Sequence, residues 1–173
     1  YGVDTVIAAG GDGTVRSVAA SLVGTDIALG ILPVGTANIV AHDTGIPPRL
    51  EDALALITGE HDIMHLDAIQ VDEAYAFLNV SLGLSAGIIR DTEASYKQRF
   101  GMLAYAWSGA RNLLAVGAKD VLLTVDGRER RLHATEVLIA NCPSMGVPEL
   151  RPSDDIDPAD GVLQVIAFRA RHL

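Results

Sequence analysis

Val3 to Ala9 is a β-branched and alanine run that stops at Gly10-Gly11, the pattern of a strand buried on both faces of a parallel sheet. Behind the glycines, Val15, Val18, Ala19, Leu22 and Val23 recur at i, i+3, i+4, i+7 and i+8, which predicts one apolar helix face closed by Gly24. Ile27 to Leu32 predicts a second buried strand, ended by Pro33. Thr36 to Thr44 reads as a short helix stopped by Gly45 and Pro47-Pro48, and Glu51 to Thr58 as another ended by Gly59. Strand, helix, strand, helix is the order of a layered α/β unit with a parallel sheet.

The pattern changes near Gly59 to Asp62. Ile63 to Val71 and Tyr75 to Leu82 predict two strands joined through Asp72-Glu73-Ala74. Phe100 to Val116 predicts a helix with Leu103, Trp107, Ala110 and Leu114 on one face. Val121 to Val125 alternates and runs into Asp126-Gly127, a strong hairpin signal. Glu136 to Ala140 and Val162 to Phe168 complete a second half read as antiparallel β with one long helix. The expected division is an α/β domain over residues 1–60 and a β-rich domain over residues 61–173.

Composition narrows the classes. The 173 residues are 49% hydrophobic and 20% charged, which excludes disorder and suffices for a core. No apolar run reaches the roughly 18–20 residues that span a bilayer, since Met102 to Ala118 is broken by Arg111. A net charge of −9 argues against non-specific nucleic-acid binding. A single cysteine, Cys142, excludes an internal disulfide framework and fits a reducing, cytoplasmic setting; on its apolar strand it reads as a small buried residue. The five histidines show no metal-ligand spacing supported by cysteine or carboxylate. Asn79-Val80-Ser81 matches a glycosylation acceptor but falls inside a predicted strand. Lys97, Arg99 and Arg111 read as a solvated helix face, with anionic headgroups as the sharper alternative.

The chemistry sits in two loops. Gly10-Gly11-Asp12-Gly13-Thr14 lies between a strand and a helix, where glycines let the backbone approach a ligand and the helix N-terminus offers N–H groups to a phosphate. Asp12 can hold Mg²⁺ or an attacking hydroxyl, and Thr14 can donate to a phosphate oxygen. The plainer reading is a glycine turn with Asp12 as N-cap. Neither the Walker A pattern nor G-x-G-x-x-G is present. Pro33-Val34-Gly35-Thr36-Ala37-Asn38 closes the next strand, and ligands of open α/β sheets bind outside strand carboxyl ends. Two polar glycine loops at adjacent strand ends support one another, although Thr36 and Asn38 could also simply cap a helix.

GGDGT followed by LPVGTAN resembles the catalytic domain of the diacylglycerol kinase family, which includes bacterial lipid kinases and the sphingosine and ceramide kinases. The likeness extends through LDAIQVDEAYAFLNVSLGLSAGII, YKQRFGMLAYAWSGARNLL, LIANCPSMG and DPADGVLQVIAF, and so covers essentially the whole chain. It implies a partial Rossmann-like three-layer α/β domain followed by an antiparallel β-sandwich domain. It also implies a transfer of the ATP γ-phosphoryl group to the hydroxyl of diacylglycerol or a similar lipid. By position, Gly10, Gly11, Asp12, Gly13, Thr14, Val15 and Arg16 would lie along the nucleotide phosphates, with Gly35, Thr36 and Asn38 also at the nucleotide and Asp12 catalytic. Mg²⁺ would accompany ATP, and a second metal would be held at Asp157, Asp160 and Val162, where a simple turn at Asp160-Gly161 is the competing reading. The partner implied is a lipid at the membrane surface reached by a peripheral cytoplasmic protein, with no nucleic acid and with homodimerisation left open.

Departures from the family pattern matter. Arg16-Ser17 stands where Asn-Glu is common, Ile39 where an aspartate often follows GTAN, and only Gly146 remains of a double glycine. The family's first strand and Asn-Pro-x-Ser-Gly loop would precede Tyr1, and the chain contains no Asp-Gly-Glu motif, whose acid is the family's general base. The expectation is therefore a stretch cut short at both ends and inactive alone. Two other functions stay open: a soluble-substrate kinase of NAD kinase type, and a non-catalytic nucleotide- or lipid-binding protein.

Overall fold

The computed structural model describes residues 2–83, 118–146 and 148–169. They form two compact units, residues 1–79 with 140–164, and residues 80–139 with 165–173. The division is thus not a single cut near residue 60, because the segment 140–164 returns to the first unit. The helix expected over Phe100 to Val116, with Lys97, Arg99 and Arg111, lies outside the described residues.

In the first unit, β1 (Thr5–Gly10) pairs in parallel with β2 (Ala28–Pro33), from Thr5 opposite Ala28 to Gly10 opposite Pro33. Alternation along these strands separates two faces. Ala8 and Ile31 join Val15 of α1 (Asp12–Leu22) and Val40 and Ala41 of α2 (Ile39–Asp43) in one buried cluster. Gly30 lies on the other face, where an added Cβ would stand 3.1 Å from the Ile57 side chain of α3 (Leu50–Thr58), a tight approach that places this helix against the strand pair. Helices on both faces of a parallel pair give the expected three layers.

The predicted helix over Thr36 to Thr44 is shorter than its sequence suggests. It begins only at Ile39, because Asn38 adopts a left-handed conformation at φ 49. The long strands predicted before and after Asp72 also break up. The first leaves only β3 (Ile69–Val71), and the second divides into β4 (Ala74–Ala76), antiparallel to β3 around Asp72 at φ 52, and a separate strand from Val80. The Phe77–Asn79 stretch leaves the ladder because other groups take its polar atoms. Asn141 Nδ2 and the Cys142 thiol both donate to the Phe77 carbonyl, while Asn79 Oδ1 accepts from the Asn141 and Cys142 amides at 2.9 Å each. Asn79 Nδ2 donates to the Ser144 carbonyl. With its amide so engaged, Asn79 serves folding rather than glycosylation.

The second unit contains β5 (Val80–Gly83), β8 (Glu136–Ala140) and β9 (Gln164–Phe168) in one sheet, with β5 antiparallel to β8. It also contains the hairpin β6 (Lys119–Val125) and β7 (Arg128–Ala134). Asp126 at φ 49 and Gly127 at φ 73 make the left-handed pair that a two-residue hairpin turn demands, as the Asp-Gly signal predicts. The fold is therefore α/β followed by an antiparallel β-sandwich-like domain. Among the described residues, no helix is long and apolar enough to cross a membrane.

Asn79 satisfies three main-chain groups at once, and each buried group left unpaired costs about 1–3 kcal/mol. Asn79→Ala should lower the unfolding free energy by roughly 2–4 kcal/mol in urea titrations. A loss below 0.5 kcal/mol, on the scale of an ordinary surface substitution, would contradict this account.

Candidate functional site

The carboxyl ends of β1 and β2 carry the two glycine loops, and the loops touch through their main chains. A Cβ on Gly35 would collide with the Gly11 Cα, stand 2.9 Å from the Gly11 nitrogen and lie 2.7 Å from Asn38 Oδ1. A Cβ on Gly10 would collide with the Thr14 side chain. By contrast, a Cβ on Gly13 meets nothing within 4 Å. Gly10 and Gly35 are thus required by close approach, a Cβ on Gly11 would stand a tight 3.2 Å from the Gly35 Cα, and Gly13 leaves open space beside the first turn of α1.

That turn is open in hydrogen bonding as well. Gly11 is the N-cap, in extended conformation and without a side-chain cap, and the first intrahelical bond runs from the Val15 amide to the Gly11 carbonyl. The amides of Asp12, Gly13 and Thr14 therefore have no intrahelical acceptor and point, with the positive dipole end, out of an eleven-residue helix. Gly13, Thr14 and Arg16 are exposed around it, as are Gly35 and Thr36 of the second loop. Such an arrangement suits an anionic phosphate.

Asp12 does cap a helix, but not its own. Its Oδ1 accepts the Val40 amide of α2 at 3.0 Å, an N-terminal amide that the left-handed Asn38 leaves uncapped. This bond links the two loops a second time. Its other carboxylate oxygen has no hydrogen-bond partner among the described residues. A half-buried carboxylate with one oxygen fixed and one free beside open helix amides can orient a cation or a hydroxyl.

Two expected nucleotide contacts are placed differently. The Val15 side chain is 3% exposed and belongs to the core, so only its backbone could approach a ligand. The Asn38 side chain is taken up by its own loop. Its Oδ1 accepts the Gly35 amide at 2.9 Å, and its Nδ2 donates to the Pro33 and Gly35 carbonyls at 3.2 and 2.9 Å. Asn38 therefore shapes the GTAN loop rather than offering a free polar group.

Asp157, Asp160 and Val162 lie together on one exposed turn. Asp157 Oδ1 accepts the Ala159 amide at 3.0 Å and Asp160 Oδ1 the Val162 amide at 2.8 Å. The turn is clipped to Asp67, whose amide donates to the Pro158 carbonyl and whose Oδ2 accepts the Gly161 amide at 2.6 Å. Both carboxylates keep one oxygen beyond these local bonds, and the Val162 carbonyl is a third oxygen donor. This hard-oxygen set fits Mg²⁺ or Ca²⁺ in kind. It is no closed cage: among the described residues, no cluster of three or more His, Cys, Asp or Glu side chains could hold a metal. A cation here would lean on main-chain oxygens and water.

The sequence reading missed a buried polar anchor behind the loops. The Asp43 side chain, at the end of α2, is fully buried. It accepts Ser144 Oγ at 2.5 Å and the Ser144 amide at 3.0 Å, with His42 Nδ1 at 2.9 Å and the Arg151 guanidinium at 3.9 Å. Nothing in AHDTG marks Asp43 as buried, because its Ser144 and Arg151 partners are about a hundred residues away. Nearby, Asn141 is fully buried, donates to the Asp67 and Phe77 carbonyls, and leaves its Oδ1 without a partner. Cys142 is buried as expected; burial, then the Asp43 and Asp12 carboxylates, push its thiol up to about 12. It is a packing residue, not a nucleophile.

Comparison with known proteins bears on the whole chain. A family model described as the diacylglycerol kinase catalytic domain matches residues 1–71, and one described as the YegS C-terminal NAD kinase beta sandwich-like domain matches residues 78–172. A Staphylococcus haemolyticus protein named as a lipid kinase is 30% identical over 168 residues, covering 96% of this chain and 54% of the relative. Lipid kinase YegS of Escherichia coli K12 is 43% identical over 115 residues, covering 63% of this chain and 38% of the relative. A crystal structure of a diacylglycerol kinase from Bacillus anthracis str. Sterne superposes with a TM-score of 0.73 at 26% identity, covering 96% of this chain and 54% of that one. The chain spans about half the length of such relatives, or less.

The two loops predict opposite signs for two glycine substitutions. Gly35→Ala should destabilise by about 1–3 kcal/mol through overpacking, while Gly13→Ala, in a helix with free space, should stabilise by roughly 0.5–1 kcal/mol. Thermal melts of both variants check this, and equal shifts would refute it. The raised Cys142 thiol favours the folded state fully below the ordinary value of 9.0 and loses that contribution as pH climbs toward about 12. Stability should therefore fall across that window, and the decline should be shallower in Cys142→Ala.

Proposed function

Because the chain belongs to the diacylglycerol kinase family, we propose that this protein is an ATP-dependent lipid kinase. Its acceptor is diacylglycerol or a similar amphipathic alcohol, reached from the membrane surface. The observation that carries this reading is the main-chain contact of the two glycine loops beside an open helix N-terminus. Together they give a cradle in which backbone amides, rather than side chains, meet phosphate.

Phosphoryl transfer asks for positioning and charge neutralisation more than for covalent help. The amides of Asp12, Gly13 and Thr14 would hold phosphate oxygens, with the Thr14 hydroxyl and the Arg16 guanidinium beside them. Mg²⁺, when bound with the nucleotide, supplies positive charge against that developing on the transferred group. Asp12 would use its free oxygen to orient the cation or the acceptor hydroxyl, while its other oxygen keeps α2 in place. A second cation would be held by Asp157, Asp160 and the Val162 carbonyl, where it would stiffen the turn that Asp67 clips. The hydroxyl proton needs a base, and no Asp-Gly-Glu motif in this chain provides one.

Asp12→Asn tests the mechanism without removing the cap, since an amide oxygen can still accept the Val40 amide. In the full-length protein it should leave the melting temperature nearly unchanged. It should also reduce ATP-dependent phosphorylation of diacylglycerol by about 100-fold or more. Undiminished turnover overturns the role of Asp12. Phosphorylation of NAD with none of any lipid reverses the substrate assignment.

A further inference from the structure

A helix of five residues does not hold its own position. α2 closes little more than one turn, too few hydrogen bonds to offset the cost of nucleating it, so its place is set from outside. At its start, left-handed Asn38 supplies no side-chain cap, and Asp12 Oδ1 accepts the Val40 amide at 3.0 Å. At its end, the buried Asp43 carboxylate takes both donors of Ser144 on separate oxygens. Oδ1 accepts the hydroxyl at 2.5 Å and Oδ2 the amide at 3.0 Å. Val40 and Asp43 stand three residues apart, so both lie on one side of the helix.

Ser144 is a firm end for this latch. It is 1% exposed, its carbonyl accepts Asn79 Nδ2 at 2.9 Å, and Asn79 Oδ1 holds the Asn141 and Cys142 amides just before it. Burial, then the charges of Asp43 and Asp12, raise the Cys142 thiol, which places both carboxylates around the same buried segment. His42 Nδ1 also reaches Asp43 Oδ1, but His42 is exposed and belongs to α2, so it ties the helix to nothing else. Arg151, at 3.9 Å, adds charge more than direction.

α1 depends on no such latch. Its eleven residues carry their own ladder from the Val15–Gly11 bond onward, so the open amides of Asp12, Gly13 and Thr14 stay where that helix puts them. What α2 governs is the Asp12 carboxylate. Its Oδ1 is fixed by the Val40 amide, and the second oxygen points where the first allows.

We infer that Ser144, acting through Asp43 and α2, is a positioning residue that aims the free carboxylate oxygen of Asp12. That this oxygen serves phosphoryl transfer rests on the kinase reading. The latch itself rests on hydrogen bonds within one compact unit.

The first test is hydrogen exchange at the Val40 amide, followed by NMR in the full-length protein. Ser144→Ala should speed it by about tenfold or more, the scale of one hydrogen bond to a charged group. Ile57→Ala, which removes packing on the other face of the strand pair, controls for lost stability and should leave that amide within twofold. The second test is kinetic. Ser144→Ala should lower kcat about tenfold, because a misaimed group costs rate, and leave KM for ATP within twofold, because the phosphate amides lie on α1. In the Asp12→Asn background the same substitution should cost less than about twofold, since the oxygen it aims is gone. Should Ser144→Ala not fold, Asp43→Asn carries both tests, as it leaves one acceptor oxygen where Ser144 uses two. Equal acceleration at Val40 in the Ile57 control overturns the inference, as does an equal loss of kcat in the two Asp12 backgrounds or none in either. Exchange as expected with no phosphoryl transfer to any acceptor would instead reject the kinase reading and leave the latch intact.

Discussion

The bond from the Val40 amide to Asp12 fixes the arrangement on which the site depends. It joins the GGDGT turn to the helix behind the GTAN loop, and the Gly11–Gly35 approach joins the same loops through their backbones. Neither contact tolerates a shift without the other, because no side chain lies between the two main chains to absorb it. The open amides of α1 are therefore held in one geometry before any ligand arrives, which is the condition for electrostatic preorganisation.

Behind the loops, buried polar groups do what an apolar core does elsewhere. Asp43 anchors Ser144, Asn79 anchors the segment from Asn141 to Ser144, and Asn141 reaches the Asp67 carbonyl. Asp67 in turn clips the turn carrying Asp157 and Asp160. A chain of hydrogen bonds thus connects the Asp157–Val162 turn to the end of α2, whose first turn Asp12 caps. Hydrogen bonds in such a low-dielectric setting are directional and costly to leave unmade, so they specify one position for each loop. The unpartnered Asn141 Oδ1 is the one described side-chain atom at which this network is unsatisfied.

Much of this was legible in the sequence. Elements defined by local pattern appear where expected: β1, α1, β2 and α3 follow from apolar periodicity and glycine or proline stops, and the Asp126-Gly127 turn from its backbone requirement. The two glycine loops at adjacent strand ends were legible as well, because close backbone approach has a residue signature. Elements that depend on remote partners were misread. The strand expected through Asn79 is interrupted because distant amides capture its side chain, and the helix expected from Thr36 starts late because Asn38 bonds its own loop. Asn38 looked like a free polar group, and Val15 like a ligand neighbour, until packing assigned both inward.

The sequence by itself determined the layered α/β start, the β-rich continuation, the two glycine loops and the family, since each is written in local spacing and residue type. Tertiary structure alone decided that Asp12 caps α2 and that Asp43 and Asn79 hold the loop from Asn141 to Ser144. Each of these depends on which residues come to stand opposite one another. That pairing is set by register and packing across tens of residues, and local pattern does not encode it.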